Sequence, residues 1–254
     1  MKTADEAFAK TTKLLFGKEL HPIDDYEEWL LKRIPKGEMV DSCTSNRKVF
    51  FPGYSVFKYV PKGKAAGLDS LNELSNRKIE VSGSDSLKSI SPKLGSIAIY
   101  ITEFVEGENQ DVIDSTIYKD LFHAYKIVDC FDSKHIAYNF WTDRNEYTFG
   151  TYRTFDAKFC IHCYNSKNVM MSFELDACKS CSGLMFSHNC ENVHDSLFCF
   201  NTKNKRYAVA NHELGKEEFL KVKGMLVDYI LKELEKNRYL KQDIYNIGCA
   251  GSKP

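Results

Sequence analysis

Six of the nine cysteines lie between Cys160 and Cys199, in "CIHC" (160–163) and "DACKSCSGLMFSHNCENVHDSLFCF" (176–200). Cys160-x2-Cys163, fourteen residues, then Cys178-x2-Cys181 is the spacing of a zinc ribbon, in which two knuckles supply four thiolates to a tetrahedral ion. His188 and Cys190 would be spare ligands. Such a site would make the chain a zinc-ribbon adaptor binding protein or nucleic acid. Two histidines offer a different chemistry. His188 and His212 are twenty-four residues apart; stacked by a repeat of that size, they would bind a metal or act as acid and base in an enzyme with a cleft between them. Without a third partner they are two turn histidines. His194 and Asp195 are adjacent, and neighbours on a strand face opposite sides, so they make a poor couple. Lys203, Lys205 and Arg206 form a small basic cluster that suits a solvated turn better than an anion site. No glycine-rich phosphate loop, Gly-x-Ser-x-Gly or His-Glu-x-x-His is present.

The elements that must hold these residues carry a hidden period. Written in rows of twelve, residues 120–211 give three regular columns. Tyr125, Ala137, Phe149, Ile161, Phe173, Met185, Leu197 and Val209 are all apolar. The column before it runs Ala124, Ile136, Thr148, Cys160, Ser172, Leu184, Ser196 and Ala208, and is mostly small. Cys130, Thr142, Thr154, Ser166, Cys178, Cys190 and Thr202 form a third, and an asparagine precedes it at 165, 189 and 201. Twelve residues are too few for a helical repeat. Rows rich in Phe, Tyr, Val and Thr suit one short strand and one bend each, stacked into a β-solenoid. The large apolar column is expected to fill its core. "NVMMSF" and "NVHDSL" match at twice the period, which suggests a two-faced coil of about twenty-four residues. The columns explain Cys160 and Cys178 as small packing residues, leaving Cys163 and Cys181 as the places where a metal would have to show itself. On this reading no residue is assigned a catalytic, cofactor-binding or metal role.

The ends are helical. "KEEFLKVKGMLVDYILKELEKNRYL" keeps three-and-four spacing through Phe219, Val222, Met225, Leu226, Tyr229, Ile230 and Leu234. It is placed to cap the last row, since open solenoid ends expose strand edges. Residues 3–16 predict a helix stopped by Gly17, and "DDYEEWLLKRIP" a second with Tyr26, Trp29, Leu30 and Ile34 on one face. Both cover an end or flank of their own core more naturally than they form a docking arm for another chain. "KVFFPGYSVFKYV" reads as strand, Pro52-Gly53 turn, strand, and "SIAIYITEFV" as a further strand. The Ser-, Lys- and Gly-rich stretch at 62–95 between them reads as a polar insertion. The expected organisation is mainly β with flanking helices: helices and strands at 1–110, solenoid at 111–215, a capping helix at 216–240 and a tail at 241–254, of which "GCAGSKP" is expected to be flexible.

Bulk properties narrow the function classes. With 43% hydrophobic and 28% charged residues the chain is globular. Thirty-five basic and thirty-five acidic residues give zero formal net charge, which disfavours a nucleic-acid partner and suits association with proteins or with copies of itself. The first residues have no secretory pattern, no stretch reaches the ~18 apolar residues of a membrane span, and an odd cysteine count suggests a reducing, cytoplasmic setting.

"NCENVHDSLFCFNTKNKRYAVAN" followed by "KEEF" resembles the tails of a loose set of uncharacterised microbial proteins with Asn/Cys-rich repeats. Those tails carry N-C-x-N-C, then N-K-x-Y and a terminal K-E-E-[YF]. The resemblance covers the last third of the chain and implies a repeat fold without an assigned activity. The chain departs from that set in having fewer cysteines and no N-terminal zinc finger. The function expected from these observations is a non-enzymatic structural or interaction component that presents a solenoid wall to protein partners or assembles into a larger particle.

Overall fold

The computed structural model describes residues 2–54 and 57–249. It divides the chain into two compact units, Met1–Ile34 with Glu106–Pro254, and Pro35–Val105. The first holds a β-solenoid of about nine coils.

The coil is twelve residues, not twenty-four. Every parallel pair in the solenoid is offset by twelve: Val112 with Ala124, Glu146 with Lys158, Cys160 with Ser172, Ser182 with His194. Each coil has four sides of three residues. At every third position from Asp111 to Ala210 the backbone takes a positive φ, including glycines at 150 and 183. Left-handed backbone is unfavourable for most residues and best tolerated by Asn, Asp, His and Gly, which explains Asp120, Asp129, Asp132, His135, Asn165, Asn168, Asn189 and Asn192 at these corners. The asparagines that precede the Cys/Ser/Thr column are therefore corner residues.

The residue after each corner points into the bore. Every third residue from Leu121 to Cys199 is buried, giving four interior columns where sequence periodicity resolves two. Cys163 lies in the third with Ile127, Asn139, Thr151, Leu175, Ser187 and Cys199. Cys181 lies in the fourth with Leu121, Ser133, Asn145, Ala157, Val169 and Val193. The bore admits nothing larger than Leu or Ile among these residues, and the column of Tyr125, Phe149 and Phe173 cannot enter it. This is where the sequence expectation is overturned. That column lines the outer wall, in one cluster with Phe8, Phe16, Trp29, Phe219 and Ile230, while the bore residues form separate clusters.

Small polar side chains suit the bore for a second reason. Ser133 Oγ accepts the N–H of Asn145 at 2.9 Å, Ser166 that of Cys178 at 3.1 Å and Ser196 that of Ala208 at 3.0 Å. Each donor is one coil further along. Asn139 Oδ1 takes the Thr151 N–H at 3.0 Å while its amide donates to Thr148 O at 3.1 Å. Asn145 repeats the motif with Ala157 and Thr154. Asn139, Thr142, Asn145, Thr148, Thr151 and Thr154 make a wholly polar layer between two apolar stretches of bore.

Helices cover the outer apolar column. α1 (Lys2–Phe16) buries Ala4, Phe8, Thr11 and Leu15 as its spacing implies, with Phe8 edge-on to Phe149 at 5.3 Å and Phe16 edge-on to Phe173 at 5.1 Å. It ends at Gly17, with φ +81°. A 3-10 turn at Ile23–Tyr26 leads into α2 (Glu27–Leu30), which places Trp29 6.1 Å from Phe173. Tyr125 and Tyr138 both donate to Asp24, at 2.9 and 2.7 Å. Gly150 sits close against the end of α2: a Cβ there would lie 2.6 Å from Leu30 O.

In the second unit, Glu38–Asp41 pairs antiparallel with Lys48–Phe51. Of the strand expected after Pro52-Gly53, Phe57–Tyr59 is a 3-10 turn, and Ser55 and Val56 lie outside the described residues. Of "SIAIYITEFV", Tyr100–Ile101 pairs with Ala65–Ala66. The stretch 62–95 carries two short helices, α3 (Leu71–Ser75) and α4 (Leu87–Lys93), the latter with a Ser86/Ser89 capping box. Arg47 clamps Asp69 and Glu103.

The solenoid ends in a short antiparallel pair, Ala208–Val209 with His212–Glu213. Asn211 imitates a further strand there, its amide accepting from Phe200 N at 2.9 Å and donating to Phe200 O at 2.8 Å. α5 (Lys216–Asn237) follows as expected. It packs Phe219 on Tyr207 of the last coil (5.5 Å) and buries Ile230 and Leu234, while Met225 and Tyr229 of the expected apolar face stay exposed. Residues 240–247 are docked, with Leu240, Asp243 and Ile244 buried; of the stretch expected to be flexible, residues 250–254 lie outside the described residues.

Phe173→Ala should cost about 3–5 kcal/mol by removing the ring that both covering segments grip. Asn139→Ala should cost about 1–3 kcal/mol by leaving the Thr151 N–H without its acceptor. Denaturant unfolding of the two variants measures both.

Candidate interaction surface

The four ribbon cysteines occupy four different sides of the bore. Cys163 Sγ donates to Ile161 O and Ser172 O, both at 3.8 Å, and Cys181 Sγ to Lys179 O at 3.2 Å and Cys190 O at 3.5 Å. Cys160 and Cys178 follow the same rule, reaching back two residues and on to the next coil. Burial pushes the Cys130 thiol up to about 12 and Cys163 well above its ordinary value. The described residues contain no group of three or more His, Cys, Asp or Glu placed to hold a metal ion. Cys163 and Cys181, which the two sequence columns did not place, point into the bore as Cys160 and Cys178 do.

His188 and His212 are not brought together. His188 lies on the outer wall with Nδ1 2.8 Å from Asp176 Oδ2, and the coil above it carries Phe200. His212 is exposed in the terminal antiparallel pair. With twelve-residue coils the two are separated by a full coil. His194 hydrogen-bonds Ser182 at 2.9 Å and not its neighbour Asp195. Lys203, Lys205 and Arg206 each face an acid, Glu191, Glu213 and Asp195.

The same vertical pairing governs the rest of the wall. Glu146 lies between Lys134 and Lys158 at 3.3 and 3.2 Å, and Arg144 reaches Asp156 at 2.6 Å. Asn192 donates to Asn204 at 2.7 Å. On one corner four rings stack in succession: His123 on His135 (4.9 Å), His135 on Tyr147 (4.6 Å), Tyr147 on Phe159 (4.7 Å). Lys10 of α1 lies over Tyr147. Under the helices, fully buried His162 and Glu174 pair at 2.8 Å. The only sign of this couple in the sequence is its twelve-residue separation.

The wall away from the helices has a shallow groove of about 430 Å³ lined by Phe131, Trp141 and Phe155 with Asp120, Asp132 and Asp143. Trp141 is 39% exposed at a left-handed corner, with Arg153 4.8 Å over its ring. Burial raises the Asp143 carboxyl above its ordinary range, and the neighbouring charge of Asp132 adds to this against Arg144. Met170, Met171 and Phe122 are further exposed apolar residues on the wall. None of the described helices is long and apolar enough to cross a membrane. No family model matches the chain, and no curated protein is significantly similar to it.

Burial, then the adjacent His123, hold His135 below its ordinary value, and Lys134 and Lys10 act in the same direction against Glu146. A histidine depressed on folding contributes stability that is complete above its unfolded value of about 6.5 and is lost as pH falls below it. His135→Phe keeps the stack and removes the proton site, so its melting temperature should fall less than that of the wild type between pH 7 and pH 5. A Cys178→Ser variant, matching Ser166 one coil below, should stay folded, and purified wild-type protein should carry no stoichiometric zinc by elemental analysis.

Proposed function

We propose that the chain is a structural or protein-interaction component rather than an enzyme. Its uncovered solenoid wall contacts protein partners or copies of itself, within a larger particle and in a reducing, cytoplasmic setting. The observation that carries this reading is the exposed Trp141 standing over a groove floored by Phe131 and Phe155. Large aromatics with a nearby Arg are the residues around which protein contacts concentrate. The charge ladders support it from another side. Several wall lysines are matched by acids one coil away, which argues against a continuous basic stripe of the kind that nucleic acid requires. Catalysis finds less support, because the polar side chains that would serve it are held by their ladder partners or buried under helices.

Native mass measurement of the purified protein, with a pull-down from its source comparing wild type and a Trp141→Ala/Phe155→Ala double variant, tests the proposal. The expected outcome is a defined assembly or partner set that weakens at least tenfold in the variant. A strictly monomeric protein whose captured material is the same with and without these rings would sink it.

A further inference from the structure

The last described segment is held as a ligand is held. Residues 240–247 contribute groups that are read one by one from elsewhere in the chain. The Asp243 carboxylate, fully buried, receives Lys32 Nζ at 2.8 Å and Arg33 through Nε at 3.1 Å and Nη2 at 2.8 Å. Lys32 also donates to the carbonyls of Leu240 and Lys241. The Ile244 N–H is taken by Glu174 Oε2 at 2.9 Å. Tyr245 Oη donates to Asp176 Oδ1 at 3.0 Å, and its ring lies 5.5 Å from that of Tyr164.

The groups that hold Asp243, Ile244 and Tyr245 come from the end of α2 and from the coil wall, while α5 supplies one contact to the segment, Tyr229 Oη accepting from Gln242 Nε2 at 3.0 Å. The cleft therefore reads the sequence Asp-Ile-Tyr without reading which chain supplies it. The covalent connection to α5 passes through Arg238, in the left-handed conformation at φ 55° and anchored separately by donating to Tyr26 Oη at 2.7 Å. Closure is imperfect: Tyr164 Oη is buried beside the docked segment without a hydrogen-bond partner, a cost that a departing tail relieves. A segment with such a joint, recognised mainly by side chains outside the preceding helix, is suited to exchange between identical chains. Every contact is then remade at little cost, and zero net charge offers no repulsion between the copies.

We propose that this cleft is a peptide-binding site, filled here by the chain's own residues 240–247, and that its ligand in trans is the same segment of a second copy. The inference rests on the reading of the chain as an assembling component and supplies one contact for it. It is independent of the Trp141 groove.

Complementation tests it. A cleft variant, Lys32→Ala/Arg33→Ala, has a free tail and no place for it. A tail variant, Asp243→Ala/Tyr245→Ala, has an empty cleft. With Trp141→Ala/Phe155→Ala added to both so that the wall contact is removed, each alone should be monomeric by native mass spectrometry, and an equimolar mixture should give a heterodimer at twice the chain mass. Assembly lost with the wall rings and assembly regained by tail exchange are then separately visible. A mixture that stays monomeric while circular dichroism shows both variants folded overturns the proposal. Should either variant fail to fold, hydrogen exchange on the wild type decides. The Ile244 and Tyr245 amides should exchange at least 100-fold faster than that of Ile230 in α5 through local release of the tail. Equal protection of all three overturns it.

Discussion

The narrow bore is the constraint from which the rest follows. Turning the chain into the left-handed region at every third residue closes a coil in twelve residues, and a square of three-residue sides has no room for an aromatic ring inside. The interior is left to Cys, Ser, Thr, Asn, Ala, Val, Leu and Ile. Such residues bury little apolar area per coil, and some of their value is as hydrogen-bond partners for backbone N–H groups one coil away. The large apolar column from Tyr125 to Val209 is displaced to one outer wall, where water would meet it unless something else did. α1, α2 and α5 fill that need, so the two covering segments at opposite ends of the chain belong to the same core.

This arrangement explains which parts of the fold were legible. A period of twelve survives in the sequence because stacked coils put like beside like, and the apolar column follows from it, while α5 shows separately in its three-and-four spacing. The finer period of three was hidden because the corners accept many residue types. Asp120, Asn165 and Asn192 announce a corner, but Trp141, Phe159 and Phe186 occupy corners too. The assumption that the largest apolar column fills the interior fails for a geometric reason, since hydrophobicity alone does not say on which side of a thin wall a ring will lie. Outside the solenoid no repeat assists, and "KVFFPGYSVFKYV" and "SIAIYITEFV" showed strand-like composition where the chain makes only short pairings or a 3-10 turn.

The chemistry follows the same logic. Cysteines spaced like a zinc ribbon end up on four sides of a bore, each thiol donating to carbonyls of its own and the next coil. Histidines far apart in sequence find their partners twelve residues away, His162 with Glu174 and His188 with Asp176. A wall built by vertical repetition satisfies its polar groups along the stacking axis, and what remains to face outward is shape, exposed rings and side-chain edges. The candidate surface was legible only in part, because Trp141 becomes notable through its exposure and the rings beside it, neither of which a single position reveals.

Stacking at about 4.8 Å per coil makes the solenoid a ruler whose length is counted in twelves. At about 1.5 Å per residue, the fifteen residues of α1 span roughly 22 Å, or between four and five coils. The apolar column from Tyr125 to Val209 runs through eight positions, about 34 Å, so α1 alone falls short and α5, with twenty-two residues and roughly 33 Å, makes up the difference. A duplicated coil would fit the solenoid without strain yet leave one more large apolar residue uncovered, so the number of coils is limited by the reach of the helices beside them.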